Sequence, residues 1–150
     1  MTLADVPWEM IEKIALAAAL GGLIGIERAE ANTPAGLRTN MIIAVSTCVF
    51  SIMAIKMMQY GNDPVMLAHI ISGVGFLGAG TIFHQQSQTT GLTTAATIWL
   101  VAGLGMAIGA GEYMLAAFAT ITALFILHIL EPLSKWLNRK GIERKNGHAK

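Results

Sequence analysis

The longest stretch of this chain without a charged residue runs from Pro64 to Gly111, and it constrains the fold more than any other feature. These 48 residues contain no Asp, Glu, Lys or Arg. Over the whole chain, charged residues make up 13% and hydrophobic residues 54%. Soluble domains carry about 25% charged residues, so this composition is too poor in charge to cover a surface that faces water. The chain is therefore predicted to be an integral membrane protein.

Five apolar segments are each near the length of about 20 residues that crosses a bilayer core. They run over Trp8 or Ile11 to Ile26, Met41 to Met58, Met66 to Phe83, Leu92 to Ala110 and Tyr113 to Leu130. The short connections between them contain turn residues, which makes successive helices antiparallel neighbours. We expect an all-α membrane protein in which residues 1–130 form a bundle of five transmembrane helices with short loops.

Residues 131–150 are predicted to form a short basic cytoplasmic tail. Leu133, Trp136 and Leu137 share one helical face, which is typical of an amphipathic helix on an anionic membrane surface. A frayed stop-transfer segment is the alternative for residues 131–140, and residues 141–150 are expected to be disordered.

The distribution of lysine and arginine predicts the orientation. With a cytoplasmic C-terminus, eight of these residues lie inside and only Lys13 and Lys56 lie outside. Cytoplasmic loops carry the excess of basic residues, so the N-terminus is predicted to be outside. The net charge of +1, without basic residues gathered on a folded face, argues against a nucleic-acid partner. Cys48 is the single cysteine, which excludes an intramolecular disulfide.

Closely spaced glycines in the third segment have two interpretations. Gly73-x-Gly75-x-x-Gly78 matches the dinucleotide-binding pattern, but that pattern needs an acidic residue about 20 positions later, and position 93 is Thr93. Small residues also let helices approach closely in lipid, and Ala68, Ser72, Gly75 and Ala79 fall on one helical face. This second interpretation predicts glycines in helix packing at Gly73, Gly75, Gly78, Gly80, Gly105 and Gly109.

Charged residues flank the first predicted cytoplasmic link. Glu27 and Arg28 precede it and Arg38 follows it, so Glu27 is predicted to pair with Arg38 or Arg28. Such a pair at the edge of the low-dielectric region indicates either a contact for an ion, phosphate or partner, or a clamp that sets helix register.

Uncharged polar residues lie inside the predicted helices. His69 and Ser72 share a face that we expect to point into the bundle, as a buried hydrogen-bonded histidine or as part of a proton relay. A threonine stripe on the fourth helix suits helix packing or a hydrated path. The stripe comprises Thr90, Thr93, Thr94 and Thr97.

Asp63 and Glu112 are isolated acids in separate loops and do not form a strong magnesium site. No serine, cysteine or histidine arrangement indicates a nucleophile. We expect no enzymatic activity, no metal site and no cofactor.

Four sequence blocks, GGLIGIER, AGLRTNMIIAV, ISGVGFLGAGTI and GLTTAATIW, resemble the MgtC/SapB family of bacterial inner-membrane proteins. They occur in the family's order and cover most of Leu20 to Gly111. The resemblance implies a multi-pass inner-membrane domain with five helices, its N-terminus outside and its C-terminus cytoplasmic. The functional positions that it implies are Glu27, Arg28, Arg38, Thr39, Asp63, Ser72, Thr93, Thr94 and Trp99.

The resemblance implies two functions of different classes. One is a regulatory membrane protein that contacts another membrane protein, for example F-type ATP synthase or phosphate-uptake control, during adaptation to low magnesium or survival inside host cells. The other is a transporter of magnesium or another ion. The expected partners are membrane lipid, another integral membrane protein or complex, and as a further alternative a second copy of the chain.

Two departures from the family pattern bear on function. Val65 and His69 stand where many relatives carry an arginine and a glutamine. Longer relatives continue into a soluble cytoplasmic domain, so we expect this chain to represent the transmembrane domain alone.

Overall fold

A computed structural model describes residues 7–60, 65–85 and 88–147, with side chains described except at 85, 88 and 131–147. Within these ranges the chain forms five α-helices and one short hairpin. The helices are α1 Trp8–Glu30, α2 Leu37–Gln59, α3 Val65–Ala79, α4 Leu92–Ala110 and α5 Tyr113–Gly147. The strands are β1 Phe83–Gln85 and β2 Gln88–Thr90. The predicted all-α fold with five helices is confirmed.

Three of the helical segments are long and apolar enough to cross a membrane: Leu37–Gln59, Leu92–Ala110 and Tyr113–Leu130. α1 has sufficient length, but it carries charged residues near both ends. α3 has 15 residues, or about 22 Å of helix, which is shorter than a hydrocarbon core of about 30 Å. These three helices identify the chain as a membrane protein. The five crossings and the orientation of the termini stay predictions.

The centre of the bundle consists of α1, α2 and α4. α2 packs against both of the others, and α3 and α5 lie outside, mainly against α4. The buried core residues include Ile24 from α1, Ala44 and Cys48 from α2, and Val101 and Ile108 from α4. Small side chains at the helix contacts allow this close packing, as expected where apolar lipid gives helices little reason to associate.

Glycines produce the closest backbone contacts in this core. A Cβ at Gly109 would lie 2.7 Å from the Cys48 carbonyl oxygen, and one at Gly105 would collide with the Ala44 carbonyl oxygen. Both glycines therefore lie in helix contacts, as predicted. On α1, a Cβ at Gly25 would lie 2.7 Å from the Leu37 Cα.

The glycines of α3 behave differently from the prediction. A Cβ at Gly73 or Gly75 would have no atom within 4 Å in the described chain. Gly78 does contact α4, because its Cβ would lie 3.4 Å from the Ala95 carbonyl oxygen, whereas Gly80 would approach only the carbonyls of its own preceding turn. Among the residues of α3 only Val74 and Gly78 are buried, so Gly73 and Gly75 are not closely packed against another described helix.

The third predicted segment ends earlier than Phe83. α3 stops at Ala79, where the amide of Thr81 donates to the Gly78 carbonyl and the Thr81 hydroxyl bonds the same oxygen at 2.7 Å. The predicted uncharged link is an antiparallel hairpin that pairs Phe83 with Thr90 and His84 with Thr89. Of the predicted apolar segment only Phe83 lies in this hairpin, and the threonines of β2 favour extended backbone.

Left-handed glycines bound α4 at both ends. Gly91 and Gly111 each have φ +88°, which L side chains rarely adopt. A Cβ at Gly91 would also collide with the Thr81 carbonyl oxygen. Gly111 and Glu112 donate their amides to the carbonyls of Ile108 and Ala107, so the helix stops there in a Schellman-type end. The predicted bounds of α4 are confirmed.

α5 continues as a helix to Gly147. Disorder was predicted for residues 141–150, and this prediction is wrong for residues 141–147. Leu, Lys and Arg are frequent between positions 133 and 145, and these are strong helix formers.

We predict that Gly105→Ala destabilises the protein by about 1–3 kcal/mol or more, because the new methyl group must displace the α2 backbone. Gly103→Ala on the same helix is the control, since its Cβ meets nothing within 4 Å and alanine favours helix by up to about 1 kcal/mol. Thermal unfolding in detergent measures both. Equal melting temperatures for the two variants would contradict the assigned packing of α4.

Candidate functional site at the turn between α1 and α2

Side-chain hydrogen bonds fix the turn that joins α1 to α2. The Thr33 hydroxyl donates to the Arg28 carbonyl at 2.9 Å. Asn40 Nδ2 donates to the carbonyls of Ala35 at 2.7 Å and Gly36 at 2.9 Å. Thr33 in the turn thus binds the end of α1, and Asn40 on α2 binds the end of the turn. Together they hold the two helix ends in place.

A buried ion pair lies at this turn. Arg28 Nε donates to Glu27 Oε2 and Arg28 Nη2 donates to Glu27 Oε1, each at 2.5 Å. The Arg28 side chain is only 6% exposed and the Glu27 side chain only 12%. Of the two partners predicted for Glu27, the structure selects Arg28. Removing one partner of such a pair leaves a buried charge uncompensated, which makes the pair strongly coupled to folding.

Arg38 differs from Arg28 although both flank the same turn. Its side chain is exposed, and it forms no ion pair with any side chain that the structure describes. A guanidinium without an ion-pair partner can donate two parallel hydrogen bonds to a carboxylate or phosphate.

Asn40 is a polar residue that the sequence analysis missed. It is completely buried, and its Oδ1 has no hydrogen-bond partner in the described part of the chain. An unsatisfied buried acceptor costs about 1–3 kcal/mol. The signal was available, since an amide side chain in an otherwise apolar helix is expensive unless it forms contacts.

Two grooves and a smaller cavity flank α3. A groove of about 610 Å³ lies between α2 and α3, with Ile42, Phe50, His69, Gly73 and Leu77 among its walls. A second groove of about 410 Å³ lies beside α3 and α4 and includes Trp99, Gly103 and Glu112. A cavity of about 300 Å³ lies at the α1–α2 turn and includes Thr39 and Thr81.

The opposite end of the bundle has its own charge contact. Lys13 Nζ lies 2.8 Å from Glu9 Oε1 and donates to the Gly109 carbonyl oxygen at 3.5 Å. That carbonyl belongs to the last turn of α4, where the helix dipole is negative, so the ammonium stabilises the helix end.

Comparison with known proteins decides the family. The model of the MgtC family matches residues 14–136 of this chain. The chain belongs to the MgtC family. It is 45% identical over 141 residues to Protein SapB of Bacillus subtilis, covering 88% of this chain and 59% of that protein. It is 40% identical over 125 residues to Protein MgtC of Brucella abortus, covering 83% and 52%.

A third relative, "Putative magnesium transporter YhiD" of Escherichia coli K12, is 36% identical over 140 residues, covering 88% of this chain and 65% of that protein. The chain thus spans between about half and two thirds of the length of these curated relatives. No solved structure matches it significantly.

The predicted site residues of this MgtC-family chain do not form one cluster. Thr94 and Thr97 are buried on α4, whereas Thr93 and Trp99 are exposed. Thr90, predicted to belong to the same stripe, lies in β2 instead, so the four threonines do not form one helical face. The Thr97 hydroxyl donates to the Thr93 carbonyl at 2.8 Å, which is the packing role expected of a helix threonine. Asp63 lies outside the described residues.

His69 and Ser72 do not point into the MgtC-family bundle, which corrects the prediction. Both side chains are exposed in the single chain. The reason is that α3 packs through Val74 and Gly78, which lie on the opposite side of the helix. Among the described residues, no three His, Cys, Asp or Glu side chains are placed to hold a metal ion.

We predict that Arg28→Ala destabilises the protein by about 3–5 kcal/mol, because Glu27 would keep a buried charge without its partner. Arg38→Ala, on the other side of the same turn, should cost far less because its side chain is exposed and forms no ion pair within the described part of the chain. Thermal unfolding in detergent compares the two.

A double mutant tests the coupling directly. Glu27→Gln should restore part of the stability lost in Arg28→Ala, since it removes the uncompensated charge. Strictly additive effects of the two substitutions would contradict an energetically coupled pair.

Proposed function

We propose that this chain is a non-enzymatic regulatory protein of the bacterial inner membrane, of the MgtC type, that acts by contact with another membrane protein. Its N-terminus lies outside and its C-terminus in the cytoplasm. The setting that the family suggests is adaptation to low magnesium or survival inside host cells. Candidate targets are the F-type ATP synthase and the control of phosphate uptake.

The outer face of α3 carries this proposal. We define this face as Ala68, Ser72, Gly75, Phe76 and Ala79. Phe76 is 84% exposed, and a Cβ at Gly75 would meet no atom within 4 Å. Small residues at helical spacing serve close contact between helices in lipid, but no helix in the described part of the chain covers this face. A helix of another polypeptide would complete the packing.

The close packing of the central helices favours contact over transport. The α2–α4 interface leaves no room for a Cβ at Gly105 or Gly109. The buried hydroxyls of Thr47, Thr97 and Thr120 donate to carbonyls of their own helices at 2.8–2.9 Å. A magnesium path needs replacement oxygen ligands or a wide polar pore, and these features of the bundle centre supply neither between α2 and α4.

Ion transport is the competing function, and the name of the Escherichia coli relative YhiD favours it. Several copies of this chain could form a pore on a symmetry axis, because the outer face of α3 is open to such contacts as well.

Reconstitution separates the two functions. We predict that purified protein in liposomes loaded with a magnesium-sensitive dye gives no influx above that of empty liposomes. The same protein, expressed in its host and isolated in mild detergent, should co-purify with a defined membrane complex, and Phe76→Ala should reduce the recovery of that complex. Saturable magnesium influx would overturn the regulatory proposal. Phe118→Ala, an exposed position on α5, is the control for loss of apolar surface.

A further inference from the structure

The exposed arginine at the start of α2 stands at one end of an apolar groove. Ile42, Ser46 and Phe50 line the groove between α2 and α3, and Arg38 precedes Ile42 by four residues. Residues four apart lie on one helical face, so Arg38 continues the line of these groove residues. Helix side chains tilt toward the N-terminus, so we expect the Arg38 guanidinium to lie beyond the end of the groove on the side of the membrane surface.

The groove has the volume of a small-molecule site. Its volume of about 610 Å³ lies within the range of about 300–1,000 Å³ that such sites occupy. The groove is open beside Gly73, where a Cβ would touch no atom of the described chain within 4 Å. The walls are mostly aliphatic and aromatic, with Ile42, Phe50, Ile70 and Leu77 among them.

The end of the groove near Arg38 adjoins a second space. Leu77 lines both the groove and the cavity of about 300 Å³ at the α1–α2 turn, which also includes Thr39 and Thr81. Thr39 is exposed and follows Arg38 directly. An apolar slot therefore leads to a region with hydroxyl groups beside an uncompensated positive charge.

We propose that this groove binds an anionic phospholipid, with one acyl chain between α2 and α3 and the headgroup phosphate at Arg38 and Thr39. Charge complementarity supports the negative headgroup, since Arg38 has no ion pair in the described chain while Arg28 at the same turn is already paired with Glu27. A basic residue near an anionic membrane surface contributes about 1 kcal/mol to lipid attraction. The groove between α2 and α3 is not lined by the outer face of α3, and the two surfaces meet only at the cavity by the α1–α2 turn, which Phe76 also lines. The proposal does not depend on the regulatory function.

The mostly aliphatic and aromatic walls of the groove match the chemistry of an acyl chain. Arg38, which has no ion pair in the described part of the chain, matches a negatively charged headgroup at the end of that acyl chain better than it matches an apolar helix.

Native mass spectrometry of the full chain in detergent tests this site. The protein is titrated with phosphatidylglycerol and with phosphatidylcholine of identical acyl chains. We expect about fivefold stronger retention of phosphatidylglycerol, which corresponds to the contribution of one arginine. Arg38→Gln should abolish that preference and Arg38→Lys should keep most of it. Lys56→Gln, at the other end of α2, is the charge control and should leave the preference unchanged.

Groove-filling variants test the acyl-chain part. Gly73→Leu should lower retention of both lipids, whereas Gly103→Leu, another open glycine but in the second groove, should not. Should Gly73→Leu fail to accumulate, Ser46→Phe fills the same groove from α2. Equal retention of the two lipids by the native chain, or an unchanged preference in Arg38→Gln, would overturn the proposal. Loss of the preference on addition of inorganic phosphate at millimolar concentration would assign Arg38 to a free anion instead and would overturn it too.

Discussion

Backbone contact at glycines on α1 and α4 is the interaction on which the rest of this structure depends. In lipid, apolar side chains gain little by leaving the solvent, so helices associate through close packing and hydrogen bonds. Gly25, Gly105 and Gly109 bring α1 and α4 directly against the backbone of α2. That contact fixes the turn between α1 and α2, and with it the burial of Glu27 and Arg28 and the exposure of Arg38.

The same packing leaves α3 on the outside of a bundle whose centre is already filled. α3 reaches α4 through Val74 and Gly78 and presents its remaining surface outward. One side of α3 forms a groove with α2. Its outer face carries small residues at the spacing typical of a contact between helices, and no described helix packs there. The tight core of α1, α2 and α4 thus leaves both α3 and α5 on its outside with much of their apolar surface exposed.

The sequence predicted the fold well where composition and spacing act locally. The uncharged run indicated apolar helices, and Gly91 and Gly111 bounded α4 correctly because both adopt a left-handed conformation. The face of α3 that packs inward could not be predicted, since both of its sides are apolar and rich in small residues. The pairing of Glu27 was open between two arginines, because the turn geometry that buries Arg28 depends on Thr33 and Asn40. The hairpin was missed because its strands are only three residues long and lie in a polar link that was interpreted as a loop.

Photo-crosslinking in native membranes can detect whether the outer face of α3 contacts another polypeptide. A photoreactive amino acid replaces Phe76 on α3 or, as a control, Phe118 on α5, both of which are exposed in the single chain. The account predicts a discrete protein adduct from position 76 and only lipid adducts from position 118. Lipid adducts alone from both positions would contradict it, because the outer face of α3 would then be an ordinary lipid-facing surface.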